Sequence, residues 1–154
     1  MADLLIRLYD LPEYDYKRVT DQGVTIRRAL APERLTVCDW VETHFSRHWR
    51  SEVETGFSHQ PIDVWIAHDS NALLGFACGD VTARGFFGPT GVSEAARGRG
   101  IGEALLFGTL QDLENKGFAY AIIGDPGPVE FYLKKLDAIE IPGSKPGIYK
   151  GMLK

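Results

Sequence analysis

The sequence predicts an α+β fold in which helices cover a mixed α/β sheet. Short β-rich runs alternate with helical stretches in the order β, α, three β, α, β, α, two β, which suits such a sheet. The 154 residues are 44% hydrophobic and 25% charged and contain no internal repeat, as in ordinary globular domains. We therefore expect one domain over residues 1–154, with residues 1–23 as an N-terminal extension.

The first half of the chain predicts a strand, a helical region and two further strands. Residues 24–30 (VTIRRAL) are rich in β-forming residues. From residue 34 to about residue 56, apolar residues recur at helical spacing, which fits one long helix or two short ones. Residues 63–68 and 72–80 are β-rich runs, and the Asp-Ser-Asn sequence between them predicts a hairpin turn.

The second half contains an interrupted strand followed by an amphipathic helix. Residues 85–92 (GFFGPTGV) predict a strand, but glycine and proline at positions 88, 89 and 91 indicate a bulge or the close approach of another molecule. Residues 101–116 have apolar residues on one helical face, and Gly117 ends this helix. The remaining predicted elements are a strand at 118–124, a turn at 125–128, a short helix at 129–136, and strands at 139–141 and 147–153.

Composition excludes several classes of function. Seventeen basic against 21 acidic residues give a net charge of −4, which argues against a nucleic-acid partner and favours cationic or neutral substrates. Cys38 and Cys78 do not form a zinc or disulfide pattern, so we expect a cytoplasmic protein without a metal. Charges at Asp3, Arg7 and Asp10 leave no signal-peptide core, and no apolar run approaches ~20 residues, so no membrane association is expected.

The segment Arg97–Gly102 (RGRGIG) predicts an anion-binding site. It lies between a strand and an amphipathic helix, where the first peptide N–H groups of the helix have no partner within it. Glycines allow the backbone to approach a diphosphate closely, and Arg97 and Arg99 add positive charge. A solvated turn is the simpler interpretation of such a stretch taken alone. The G-x-G-x-x-G spacing of dinucleotide-binding folds is absent, as is the Gly-Lys-Ser/Thr of P-loops.

With its context, the segment resembles the signature of the GNAT superfamily of N-acetyltransferases, Arg/Gln-x-x-Gly-x-Gly/Ala. Here that signature is Arg97, Gly100 and Gly102. The preceding broken strand, the EALL that follows and a tyrosine in a short helix after the next strand agree with the family over roughly residues 24–153. The resemblance implies a GNAT-like acyl-CoA acyltransferase fold, with a splayed central sheet flanked by helices.

The resemblance also implies roles for individual residues. In the family, the broken strand separates from its neighbour, and here that separation is expected after Val92. The exposed backbone there pairs with pantetheine, and the Val92 N–H would face the thioester carbonyl. Tyr132 corresponds to the tyrosine that protonates the departing CoA thiolate, although an unassigned tyrosine would more simply be a packing residue. The expected acetyl-CoA-binding residues are Gly91, Val92, Arg97, Gly98, Arg99, Gly100, Ile101 and Gly102.

The general base cannot be transferred from the family. Some relatives carry a glutamate on the fourth strand, but the equivalent position here is Phe86. Candidates by location are Asp80, Glu42, Glu52 and Glu54, and a chain of water molecules is an alternative. His44 and His48 are four residues apart but lack a third ligand at a recognised spacing, so we expect no metal.

The sequence therefore predicts an N-acetyltransferase that moves an acetyl group from acetyl-CoA to a primary amine of a small molecule or peptide by direct attack. The alternative is a module of the same fold that binds acyl-CoA as a sensor or scaffold without turnover. The acceptor and the acyl-chain preference are left open because specificity resides in variable loops. A homodimer is also left open.

Overall fold

The computed structural model describes residues 2–127 and 129–154, with only the backbone of Val129. Pro128, the last residue of the predicted turn, lies outside the described residues. The strands are β1 (Leu4–Arg7), β2 (Thr25–Arg28), β3 (Val64–His68), β4 (Leu73–Gly79), β5 (Phe86–Val92), β6 (Tyr120–Ile123) and β7 (Ile139–Glu140). The α-helices are α1 (Lys17–Thr20), α2 (Arg34–His44), α3 (Arg47–Ser58), α4 (Ile101–Asn115) and α5 (Val129–Leu136).

The strands form one seven-stranded sheet in the order β2-β3-β4-β5-β6-β1-β7. β5 and β6 run parallel, whereas the other neighbouring pairs of described strands are antiparallel. Parallel neighbours need a crossover connection, and α4 provides it between β5 and β6. The mixed sheet with flanking helices confirms the predicted fold class.

Successive side chains of a strand point to opposite faces of the sheet, and both faces are apolar here. Helices therefore cover both faces. In β4, Ala77 belongs to the layer under α4, while Phe76 and Cys78 belong to the layer under α2 and α3. α4 has nine buried residues, so it is the central helix of the fold. α5 packs on the same side of the sheet as α4, through Leu136.

The sheet opens between β5 and β6. Their parallel pairing includes only Phe86 and Phe87, opposite Ile122 and Ile123, whereas β5 stays paired with β4 as far as Val92. The separation therefore begins at position 88, earlier than the predicted point after Val92. Gly88 has a φ of +113°, outside the strand region, and Pro89 has no N–H to donate. These two residues end the pairing with β6.

The region predicted as one long helix or two short ones is two helices. α2 ends at His44, and Ser46 begins α3 by accepting a hydrogen bond from the Trp49 N–H at 3.1 Å. A serine at this position satisfies one of the unpaired N–H groups of the new helix and so favours a fresh start. None of the helices in the described part of the chain is long and apolar enough to cross a membrane.

Part of the predicted N-terminal extension belongs to the sheet. β1 lies between β6 and β7 and pairs with both in antiparallel register. Leu4 and Ile6 are almost completely buried in the layer under α4. The sequence analysis missed β1 because it is only four residues long and has the charged residues Asp3 and Arg7 within or beside it.

The predicted last strand, residues 147–153, is wrong. Gly147–Tyr149 form a single 3₁₀ turn instead. Gly147 and Gly151 have φ angles of +61° and +72°, which a β-strand does not accommodate. Of the other predicted strand at 139–141, Ile139 and Glu140 pair with β1.

We predict that β1 contributes to global stability. Ile6→Ala should lower the free energy of unfolding by about 2–5 kcal/mol, because Ile6 is only 1% exposed and its loss leaves a cavity under α4. Ile139→Ala, at a position that is 43% exposed, is the matched control and should cost about 1 kcal/mol or less. Urea denaturation of both variants measures the difference. Equal losses would contradict a core role for β1.

Candidate functional site

A cavity occupies the opening of the sheet. It has a volume of about 270 Å³ and lies between the second half of β5, the start of α4 and α5. Four residues that the sequence analysis singled out line it, namely Gly91, Val92, Gly102 and Tyr132. The other lining residues are Phe87, Thr90, Glu103, Leu106 and Phe131.

The predicted glycine segment forms the loop into α4. Gly98 and Gly100 both have φ angles of +83°, a conformation that glycine adopts without strain. Gly100 is the N-cap of α4 and supplies no side-chain cap, so the N–H groups of the first helical turn are available to a ligand. Ile101 contributes only backbone here, because its side chain is buried in the core. The loop thus presents the donors and the positive helix end that bind phosphates.

Arginine side chains surround this loop. The Arg97 Nε donates to the Val92 carbonyl at 3.3 Å, and the Arg99 Nε donates to Gln22 Oε1 at 2.9 Å. A third arginine, Arg18, donates through Nη2 to the Gly98 carbonyl at 3.3 Å. Its guanidinium lies 3.0 Å from the point that a Cβ on Gly100 would occupy.

Sequence reasoning missed Arg18 because residues 1–23 were assigned to an N-terminal extension. The structure instead forms α1 there and places it against the glycine loop, where Gln22 also donates to the Arg99 carbonyl at 2.9 Å. Nothing in the local sequence indicates this contact, which joins residues 77 positions apart. Arg18 adds a third cation where the predicted diphosphate would bind.

The orientation of Val92 follows from the register of β5. The Ser93 N–H donates to the Leu74 carbonyl of β4 at 2.9 Å. Alternate residues of an antiparallel strand direct their N–H and C=O groups to opposite neighbours, so Val92 directs its own away from β4. On that side β6 is no longer paired. A ligand in the cavity can therefore receive a hydrogen bond from the Val92 N–H.

Gly91 fits closely beneath an aromatic ring. A Cβ at this position would lie 2.4 Å from Phe45 Cζ, so a side chain at position 91 would displace the ring. Phe45 belongs to a cluster of aromatic rings on the α2 and α3 side of the sheet, whose other members are Trp40, His44, Trp49 and Phe76. The cluster packs against the buried core on this side of the sheet, and through Phe45 it lies against Gly91 of β5.

Tyr132 faces the cavity from α5. Its ring lies 5.4 Å from that of Phe131 in an edge-to-face arrangement. Burial raises the pKa of the Tyr132 phenol above its usual value, so the hydroxyl stays protonated across neutral pH. A neutral phenol beside the cavity can donate a proton to an anion that forms there.

Among the described residues, the only group of three histidine, cysteine or acidic side chains with its ligand atoms close together is His59, Asp63 and Asp80, which includes neither His44 nor His48. His44 Nδ1 lies 2.9 Å from the Trp40 carbonyl, and the His44 ring stacks on the indole of Trp40. The ring is therefore engaged by its own helix. The expectation of a metal-free protein stays a prediction.

Comparison with known proteins agrees with this geometry. The sequence matches the family model described as the acetyltransferase (GNAT) family over residues 28–136. No curated protein matches the sequence.

Several solved structures are similar to the fold. One is the GCN5-related glucosamine N-acetyltransferase region of a fungal multi-domain GH3 β-N-acetylglucosaminidase, at 17% identity and a TM-score of 0.75 over 91% of this chain and 19% of that one. Another is a GCN5-related N-acetyltransferase from Sphaerobacter thermophilus, at 22% identity and a TM-score of 0.68 over 91% of this chain and 48% of that one. A GNAT family acetyltransferase from Brucella melitensis, in complex with acetyl-CoA, gives 17% identity and a TM-score of 0.55 over 77% of this chain and 88% of that one.

This chain spans less than half of the fungal and Sphaerobacter proteins. At these identities the likeness shows a shared fold. The family model covers more than half of the sequence, including β5, the glycine loop and α4. The chain therefore belongs to the GNAT family of acetyltransferases.

Proposed function

We propose that this protein transfers an acetyl group from acetyl-CoA to a primary amine of a small molecule or peptide by direct attack. The observation that carries the proposal is the continuity of the site. The glycine loop at the start of α4, the unpaired edge of β5 and the half-buried Tyr132 lie along one opening of the sheet. Each of these features matches one part of acetyl-CoA.

The chain's residues fit acetyl-CoA from the diphosphate to the thioester. The loop Arg97–Gly102 and Arg18 would hold the diphosphate through backbone N–H groups and positive charge. The free edge of β5 would pair with the amides of the pantetheine arm, as an added strand pairs with an exposed sheet edge. The acetyl-CoA complex of the Brucella melitensis protein, which has the same fold, supports this assignment.

Two groups of the chain would then act on the reaction. The Val92 N–H would donate to the thioester carbonyl oxygen as negative charge develops on it, a contribution on the order of a few kcal/mol for one fixed donor. The Tyr132 hydroxyl would donate its proton to the departing sulfur. The amine nitrogen forms a bond to the carbonyl carbon while the bond from that carbon to sulfur breaks.

Release of free thiol from acetyl-CoA tests the proposal against a binding-only module. The wild-type protein should release thiol only in the presence of an accepted amine. A suitable panel contains glucosamine, spermidine, lysine, an aminoglycoside and a peptide with a free N-terminus. Glucosamine is included because of the likeness to the fungal glucosamine N-acetyltransferase region. Acetyl-CoA binding without thiol release from any amine would favour a sensor or scaffold.

We predict that a carboxylate in the glycine loop weakens acetyl-CoA binding. Gly98→Asp would place a negative charge beside the diphosphate, and a Cβ there has no heavy atom within 4 Å to clash with. The Kd for acetyl-CoA should rise at least about tenfold, because the new carboxylate repels the diphosphate that the helix start otherwise attracts.

Gly117→Asp is the matched control for this variant. Gly117 also has a positive φ and open space around its Cβ position, but it follows the opposite end of α4. It reports the cost of backbone strain without altering the loop. Calorimetric titration of both variants should show weakened binding only for Gly98→Asp. Equal affinities would contradict the diphosphate assignment.

We predict that Tyr132→Phe lowers kcat by roughly 10²-fold, because it removes the proton donor and keeps the ring. Acetyl-CoA affinity should change by no more than a few fold, as for an interaction made mainly in the transition state. Tyr120→Phe, at a position on β6 that is 47% exposed, is the control. A loss of kcat below about threefold with chemistry rate-limiting would make Tyr132 a packing residue.

A further inference from the structure

Another cavity, the edge cavity, lies over the β2 end of the sheet on the side of α4. It has a volume of about 450 Å³, within the range of small-molecule sites. Its floor is formed by Ile26 and Arg28 of β2 and by Trp65, which pairs with Arg28 from β3. Its walls come from α1 with the residue before it and from the second half of α4, namely Tyr16, Thr20, Gly108, Gln111, Asp112 and Asn115.

The edge cavity and the cavity at the opening of the sheet lie on opposite sides of α4. The helix residues that line the edge cavity are at positions 108, 111, 112 and 115, and those that line the other are at positions 102, 103 and 106. At about 100° of rotation per residue, the two sets point in directions roughly 180° apart. A molecule in the edge cavity is therefore separated by α4 from the groups that would act on acetyl-CoA.

Gly108 lies in the middle of α4, where alanine has the higher helix propensity. Packing does not require a glycine there. A Cβ would lie 3.7 Å from the Tyr16 hydroxyl oxygen and 3.8 Å from both Ile26 Cγ2 and Trp65 Cε3, which are ordinary van der Waals contacts. All three neighbours line the edge cavity. The glycine thus keeps this wall flat at the expense of helix stability, which suits a ligand that lies against the backbone.

The lining combines ring surfaces with amide groups. Tyr16 and Trp65 present aromatic rings, and Ile26 adds aliphatic surface. On the α4 side, the Gln111 Nε2 donates to Asn115 Oδ1 at 3.2 Å. The carbonyl oxygen of Gln111 and the NH₂ group of Asn115 can then accept from and donate to an amide of a ligand. An aromatic ring that carries an amide matches both parts of this lining.

The charged side chains of the lining favour an uncharged ligand. The Arg28 Nη2 donates to Asp112 Oδ1 at 2.5 Å, and Asp112 Oδ2 lies 3.1 Å from Lys116 Nζ. Arg28 also donates to the Ile62 carbonyl. Because Arg28 and Asp112 already neutralise each other, neither supplies an unpaired charge to a bound ion. Burying an unpaired charge of the ligand would be costly.

The α1 segment contacts both the edge cavity and the glycine loop. Tyr16 and Thr20 line the cavity, while Arg18 and Gln22 donate to backbone carbonyls of the loop at 3.3 and 2.9 Å. α1 has four residues, of which Val19 is buried. Because so short a helix buries little surface, a ligand held between α1 and α4 would stabilise its position beside the loop.

We propose that the edge cavity is a regulatory site for an uncharged aromatic amide, and that its occupancy strengthens acetyl-CoA binding through α1. The ring would lie against Gly108 beside Tyr16 and Trp65, and the amide would pair with Gln111 and Asn115. By linkage, acetyl-CoA would strengthen binding of the amide by the same factor. This coupling rests on the proposed acetyl-CoA site, whereas binding of the amide itself does not.

Indole-3-acetamide is a suitable probe because it joins a flat ring to an uncharged amide. NMR titration of the isotope-labelled protein should shift the signals of Gly108 and Trp65 and give a Kd at or below about 1 mM, as suits a ligand of this size. Indole-3-acetate adds a charge and should bind at least about tenfold more weakly. Cyclohexylacetamide lacks the aromatic ring and should also bind more weakly. A Kd for indole-3-acetamide above about 10 mM would overturn the site, and equal binding of the acetate would overturn the ligand class.

Variants of Gly108 distinguish a ligand-binding wall from a packing requirement. Gly108→Ala should keep or raise the urea midpoint of unfolding, because its Cβ meets no described side chain closer than 3.7 Å, and should weaken binding of the probe. Gly108→Leu would fill part of the edge cavity and should weaken binding of the probe at least about tenfold. Thr25→Leu, at an exposed position of β2 outside the lining, is the control and should keep wild-type affinity. Unchanged probe affinity in both Gly108 variants would overturn the site.

Calorimetric titration of acetyl-CoA with and without saturating indole-3-acetamide measures the coupling. The Kd for acetyl-CoA should fall at least about fivefold when the probe is bound. Arg18→Ala should remove this effect and keep probe binding, because it breaks a contact between α1 and the loop. An acetyl-CoA affinity that ignores the probe would overturn the regulatory role.

Two further outcomes separate this proposal from the proposed function. Competition between the probe and acetyl-CoA would show that the edge cavity holds part of CoA, which would overturn a separate site and leave acetyl transfer standing. Probe binding by a protein that does not bind acetyl-CoA would overturn the proposed function and the coupling, and would leave the ligand site standing.

Discussion

β5 keeps its pairing with β4 as far as Val92 but loses its pairing with β6 after Phe87. Unpaired backbone groups inside a sheet are costly unless water or a ligand satisfies them. Gly88 and Pro89 determine where the loss begins, one by its φ and the other by lacking an N–H. This single separation leaves room for the cavity and leaves the Val92 N–H without a partner strand. It also positions the glycine loop, because the loop follows the unpaired end of β5 in the chain.

The opening connects two faces of the sheet that differ in the side chains they present. On the side of α4, the arginines at positions 18, 97 and 99 gather at the start of a helix, which favours an anion. On the side of α2 and α3, the Phe45 ring of the aromatic cluster lies against Gly91 of β5. In the proposed reaction the diphosphate of CoA would bind on the α4 side, and its pantetheine arm would follow the free edge of β5.

The N-terminal residues connect the fold to the site. β1 completes the sheet between β6 and β7, and α1 with the turn after it places Arg18 and Gln22 against the glycine loop. The conformation of the loop is therefore tied to a segment about 80 residues away in sequence. The residues of β1 that pair within the sheet and the residues that contact the glycine loop thus lie in one short stretch of chain, residues 4–22.

The sequence by itself determined the glycine loop, the interrupted strand and the tyrosine, because backbone conformation and motif spacing are local properties. It also predicted the mixed sheet and the helical regions, since hydrophobic periodicity reflects which face of an element is buried. Only the tertiary structure decided that residues 4–7 form a strand inside the sheet, that residues 147–153 do not form one, and that Arg18 lies at the loop. The carboxylates at positions 42, 52, 54 and 80 could not be separated by sequence, because their burial and their hydrogen-bond and ion-pair partners depend on how the chain folds.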